Sequence, residues 1–143
     1  MRRWLLLLVA CGGDARLEMR FDALTDVSEL QLSVLTERDT VDCGAVTQSC
    51  VKDQFPQGRF ADLTDRSGKT AKAVRFSRDA GVEVTLAPGK DFAFVIEALS
   101  GSQLAGSSCT YVEELRAGSN RVSANAITLR ADAGALAACD PRF

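Results

Sequence analysis

The chain contains no histidine, and that absence removes the side chain most often used for proton transfer near neutral pH and the commonest transition-metal ligand. Basic residues are not in excess: 17 Lys and Arg stand against 19 Asp and Glu for a formal charge of -2. Binding to a nucleic acid needs a basic surface to neutralise phosphates, so a nucleic-acid partner is not expected. Aromatic residues make up 6% of the chain, with a single Trp and a single Tyr, too few for a broad stacking platform. No apolar run approaches the roughly 20 residues that a membrane-spanning helix requires. What remains is ordinary globular composition, 46% hydrophobic and 25% charged over 143 residues, about one domain in size.

The most specific signal lies at the start. Met1-Arg2-Arg3 is followed by the apolar run Trp4 to Val9 and then by Ala10-Cys11-Gly12-Gly13. Basic, apolar and then small residues form the order of an export signal. Within it, Leu8-Val9-Ala10-Cys11 resembles the lipobox of bacterial lipoproteins. The resemblance implies that residues 1–10 are a signal peptide and that Cys11 receives a diacylglyceryl thioether, with its freed amino group acylated by a fatty acid such as palmitate. Residues 11–15 would then be a lipidated tether and 16–143 the folded domain. Gly12 after the cysteine resembles lipoproteins passed to the outer membrane. The expected address is therefore exported and membrane-anchored, with the lipid bilayer as one partner through Cys11. Ten residues ahead of the cysteine is short beside the roughly 15–30 of an ordinary signal.

Removing Cys11 from the five cysteines leaves Cys43, Cys50, Cys109 and Cys139. An even remainder in an exported chain suits a framework of two disulfides. A local pairing would join Cys43 to Cys50 and Cys109 to Cys139. The long-range pairing, Cys43 with Cys109 and Cys50 with Cys139, is preferred; in the chain-entropy model its first loop is worth about 4–4.5 kcal/mol against about 2.5 for the short one. The spacing fits neither a zinc site, with no C-x2-C or C-x4-C pair, nor the C-x-x-C of thiol oxidoreductases.

The body of the chain reads as strands. Leu17, Met19 and Phe21 alternate with charged residues, as do Leu30, Leu32 and Val34 with Gln31 and Ser33, and a turn at Thr25-Asp26 would join the two as a hairpin. Val74 and Phe76, then Val82, Val84 and Leu86, continue the alternation across the break Arg78-Asp79-Ala80-Gly81. Phe92 to Leu99 is nearly all apolar and reads as a central strand buried on both faces. Gln103 to Ala105 and Tyr111 to Leu115 are weaker strands, Ala117-Gly118-Ser119-Asn120 reads as a turn, and a last strand runs through Val122, Ala124, Ile127 and Leu129. Ala133 to Ala138 is the one short helical candidate. Strands at this spacing predict an all-β fold, an antiparallel β-sandwich of about seven to eight strands, stapled by disulfides. Residues 70–130 resemble the immunoglobulin-like or transthyretin-like sandwich domains of bacterial surface lipoproteins, a likeness that brings no activity with it.

Chemistry-bearing motifs are few. Ser67-Gly68-Lys69-Thr70 has the tail of a phosphate-binding loop but Leu63 where its first glycine belongs. Ser49-Cys50-Val51-Lys52 matches the S-x-x-K of serine–lysine nucleophiles without the elements that accompany it. Asp39, Asp42, Asp62 and Asp65 follow no calcium-loop spacing, and Phe55, Phe60 and Tyr111 are candidate ring platforms. The expectation is a non-enzymatic binding or structural module of the cell envelope, without a cofactor, whose loops such as 39–66 meet an envelope protein or glycan. The alternative is a small exported glycan-binding protein or hydrolase that uses a metal held by the acidic loop residues.

Overall fold

The computed structural model describes residues 13–19, 27, 29–101, 103–129 and 143. Cys11, Cys139, the expected signal segment and the Ala133 to Ala138 candidate helix lie outside the described residues. Ten strands form two five-stranded sheets among the described residues, seven of them four residues or longer. The first sheet has the order β4 (Thr70–Ala71), β3 (Leu63–Asp65), β6 (Val82–Leu86), β1 (Ala15–Met19), β9 (Gly118–Arg121). The second has the order β10 (Thr128–Leu129), β8 (Gln103–Leu115), β7 (Gly89–Ser100), β2 (Glu29–Leu35), β5 (Ala73–Ser77). The fold is the all-β sandwich that the alternation predicts. Every ladder is antiparallel except that between β1 and β9.

The period-two alternation sets the inner faces. Ala15, Leu17 and Met19 of β1 and Val82, Val84 and Leu86 of β6 point inward from the first sheet. Leu30, Leu32 and Val34 of β2 and Phe92, Phe94, Ile96 and Ala98 of β7 meet them from the second. The first sheet keeps a solvated outer face, where Glu83 is paired with both Arg16 and Arg66. This is the ordinary arrangement of an antiparallel sheet with one wet side.

Four expectations change in detail. The strands β1 and β2 are not a hairpin, because β1 pairs with β6 and β9 while β2 pairs with β5 and β7. The two strands belong to different sheets, which lets both apolar faces turn toward a single core; Thr25-Asp26 lies outside the described residues. Gln103 to Ala105 and Tyr111 to Leu115 are one 13-residue strand, β8, whose small central residues Gly106, Ser107 and Ser108 mask its periodicity and whose pairing partner β7 keeps it extended. The expected turn at 117–120 is also the start of β9. Asn120 closes the loop by accepting from the Arg116 amide at 3.1 Å and donating to its carbonyl at 2.7 Å, and the backbone then satisfies the free edge of β1 in parallel register. Finally, the last strand shrinks to Thr128–Leu129, because Val122, Ala124 and Ile127 pack on the core without joining a ladder.

Phe94 is fully buried at the centre of β7, with its ring centroid 6.4 Å from that of Phe92. Phe94→Ala is expected to destabilise the domain by about 3–5 kcal/mol, measured as a lowered urea midpoint with an unchanged slope.

Candidate functional site

All eight residues from Phe92 to Leu99 are buried, so β7 must be covered on its outer face as well as its inner one. The segment 36–60 between β2 and β3 supplies that cover. It leaves the sheet after Leu35, makes a 3-10 turn at Arg38–Thr40, forms the short helices α1 (Cys43–Val46) and α2 (Val51–Gln54) and a second 3-10 turn at Gln57–Arg59, and returns where Phe60 bridges to Leu35. Val41, Val46, Val51 and Phe60 from this segment enclose a second apolar cluster with Leu35, Ala93, Val95 and Cys109 of the sheet. Gln31 and Ser33, which alternation assigns to water, are therefore 2% and 0% exposed. The period-two pattern identified the face correctly, and the overlying segment removed its solvent.

Two anchors tie the cover to β8, and internal contacts hold its shape. Cys43 is disulfide-bonded to Cys109 of β8, with their Cα atoms 5.3 Å apart. Two residues along the same face of β8, the Tyr111 hydroxyl donates to the Val41 carbonyl at 2.6 Å and accepts from the Cys43 amide at 3.1 Å. Asp42 caps α1 by accepting from the Gly44 amide at 2.9 Å, which is why a four-residue helix can begin there. At the base of the cover, the Arg59 guanidinium donates to the Thr36 and Glu37 carbonyls at 3.0 and 3.3 Å and lies over the Phe55 ring. Cys50 is disulfide-bonded as well; Cys139, its expected partner, lies outside the described residues.

Beneath the cover a polar row crosses four strands in register. Arg75 of β5 stands opposite Gln31 of β2, Gln31 opposite Glu97 of β7, and Glu97 opposite Ser107 of β8. Arg75 Nε donates to Gln31 Oε1 at 3.3 Å, and Gln31 Nε2 donates to Glu97 Oε1 at 3.4 Å. Glu97 Oε2 accepts from the Val51 amide at 3.2 Å, while Ser107 Oγ donates to the Thr47 carbonyl at 3.4 Å. Glu97 thus caps α2 from 46 residues away in sequence. It is 1% exposed, and burial pushes its carboxyl up to about 7 against the opposing pull of the Val51 and Gln31 hydrogen bonds. Sequence reading missed Glu97; the one signal available was a lone acidic residue inside an otherwise apolar run.

The remaining candidates have structural partners. Asp62 pairs with Lys72 at 2.8 Å, and Asp39 sits in the first 3-10 turn. Asp65 accepts from the Ser67 hydroxyl and amide and from the Lys69 amide; the Ser67 hydrogen bond chiefly holds its carboxyl below the ordinary value. Ser67 to Thr70 is the turn from β3 into β4, with Gly68 at a φ of +84°, and not the loop-to-helix junction that a phosphate cradle requires. Ser49 and Lys52 flank the start of α2 beside the disulfide-bonded Cys50. Phe60 is buried and Tyr111 is 47% exposed, so the three rings do not form one platform. Among the described residues no group of three or more Cys, Asp or Glu side chains gathers to hold a metal ion, and no helix is long and apolar enough to cross a membrane.

At the end of the sandwich where β1 finishes and β6 begins there is a cleft of about 370 Å³. Its lining includes the apolar Met19, Phe76 and Val82 and the charged Arg66, Arg75 and Glu83. The Arg66 hydrogen bond is the main influence that lowers the Glu83 carboxyl below its usual value. No family model matches the chain, and no curated protein or solved structure matches it either.

Two outcomes are expected of the cover. Replacing Cys43 and Cys109 together by Ala removes a cross-link spanning 66 residues and should lower stability by about 4 kcal/mol in the chain-entropy model, read from guanidinium titration. Glu97 sets a pH dependence of opposite sign to that of an ion-paired carboxylate. Below the ordinary value of 4.5 both folded and unfolded chains hold its proton; between there and about 7 the unfolded chain releases it while the fold keeps it. Stability contributed by this group therefore falls as pH rises through that window, by about 3 kcal/mol in all, and levels off above it. Glu97→Gln keeps an acceptor for Val51 and should flatten this slope in denaturation midpoints measured from pH 4 to pH 8.

Proposed function

We propose that the protein is an exported lipoprotein, held on a membrane through acylated Cys11, whose β-sandwich is a non-enzymatic binding or structural module of the cell envelope. The observation that carries this reading is a cystine, Cys43–Cys109, in a chain that opens with Arg2-Arg3, an apolar run and Leu8-Val9-Ala10-Cys11. Disulfides persist in oxidising compartments outside the cytosol, and the opening residues resemble the signal that delivers a lipid-bearing cysteine there. The two features concern different parts of the chain and agree on one address.

The non-enzymatic part is supported by the fate of the titratable groups. Glu97 has the protonation behaviour of a general acid, yet it is sealed beneath α2 at 1% exposure and donors occupy both of its oxygens. No substrate reaches it without removing the cover. Asp42, Asp62 and Asp65 are engaged in a helix cap, an ion pair and a turn, and among the described residues they do not gather as a metal-ligand set. An envelope protein or a glycan is the partner class, and the outer membrane is the favoured site, on the resemblance carried by Gly12.

The test is the intact mass of protein extracted from membranes with detergent, with alkylation before and after reduction. Loss of Met1 to Ala10, a gain of acyl groups on Cys11 and four thiols released only by reduction are expected. A full-length, unacylated chain with free thiols would overturn the reading.

A further inference from the structure

We infer that the rim of the sandwich formed by residues 86–91 and 115–118 is a contact surface for the lipid bilayer. This rests on the lipoprotein reading and adds to it an orientation that a lipid anchor alone does not give. β1 begins at Ala15, and the Asp14 carbonyl just before it accepts the Gly118 amide at 3.1 Å. The point where the tether joins the domain is therefore fixed. Only Gly12 and Gly13 stand between Cys11 and Asp14. Three residue steps reach at most about 11 Å even when fully extended. The polar headgroup layer on one side of a bilayer is about 5–7 Å thick, and an acylated cysteine sits at its inner boundary. Crossing that layer spends most of the available length and leaves about 4–6 Å between the headgroups and Asp14, within side-chain reach of the rim.

Strand register identifies what lies at that end. Ala15 is opposite Leu86 on one side and Gly118 on the other, and Gly89 is opposite Leu115 in the second sheet. The connections at Ala87-Pro88 and Arg116-Ala117 close the same end, and Ala87, Pro88, Lys90, Arg116 and Ala117 are exposed there. Charge at the rim is mixed and locally paired: Arg116 with Glu114 at 3.1 Å and Asp91 with Arg38 at 3.5 Å. Attraction to anionic headgroups is therefore not what brings the rim down. The covalent tether does so, by the effective concentration that a short linker imposes, and contact should occur on zwitterionic lipid. At the opposite end, the tip joining β7 to β8 stands about 40 Å away along the 13 residues of β8.

The single tryptophan of the sequence is Trp4, inside the segment that maturation would remove, so an introduced indole would be the sole reporter in the mature protein. Ala117→Trp and Ala87→Trp place it at the rim, and Gln103→Trp places it near the tip; all three positions are exposed. Each lipidated variant is reconstituted into phosphatidylcholine vesicles with acyl chains brominated near the headgroup, and its mass is measured in the same preparation. Loss of much of the indole emission for both rim variants, with none for Gln103→Trp, is expected. Acylated protein in which the rim indoles stay unquenched, or in which all three are quenched alike, overturns the orientation while leaving the anchor intact. Absence of acyl mass, with Trp4 retained, overturns the lipoprotein reading itself.

Discussion

An eight-residue strand segment with no exposed member has to be covered twice, and much of this structure follows from that constraint on β7. Its inner side chains Phe92, Phe94, Ile96 and Ala98 are met by the facing sheet. Its outer side chains Ala93, Val95 and Glu97 have no second sheet, and the segment 36–60 covers them instead. Two of that segment's helices are only four residues long, far below the length at which a helix is stable alone. Their persistence depends on what fixes them to the sheet: the Cys43–Cys109 bond, the Tyr111 hydroxyl and the Glu97 carboxylate.

Those attachments differ in kind. The disulfide acts largely by limiting the unfolded chain, the tyrosine provides direction through two hydrogen bonds, and the glutamate caps an otherwise uncapped helix. Glu97 is also the weak point, because a buried carboxyl is stabilising only while its charge is absent or well partnered. The row Arg75–Gln31–Glu97–Ser107 spreads that demand across four strands, with Arg75 at the end of the row toward solvent. Enclosing the acid serves packing at the expense of access.

The ends of the sandwich are unlike one another. At one, the start of β1 and two tight connections leave a rim of small and mixed-charge residues. At the other, the cleft combines apolar Met19, Phe76 and Val82 with the charged Arg66, Arg75 and Glu83. Under the proposed anchoring at Cys11, the second end and the long β7–β8 tip would be directed away from the membrane.

Alternation in β1, β2, β6 and the centre of β7 was legible because a strand's inward face is a local property: every second residue must be apolar wherever the partner sheet comes from. The class of fold followed from those four elements. Which strands share a sheet was not, since β1 and β2 are neighbours in sequence and belong to opposite layers. Nor was the burial of Gln31 and Ser33 or the role of Glu97, because each depends on a cover that arrives from elsewhere in the chain. The parallel pairing of Gly118–Arg121 with β1 was hidden for the same reason: a free backbone edge, and no side-chain pattern, selects it. Periodicity encodes which face of an element is apolar, while only the assembled tertiary structure decides what that face meets.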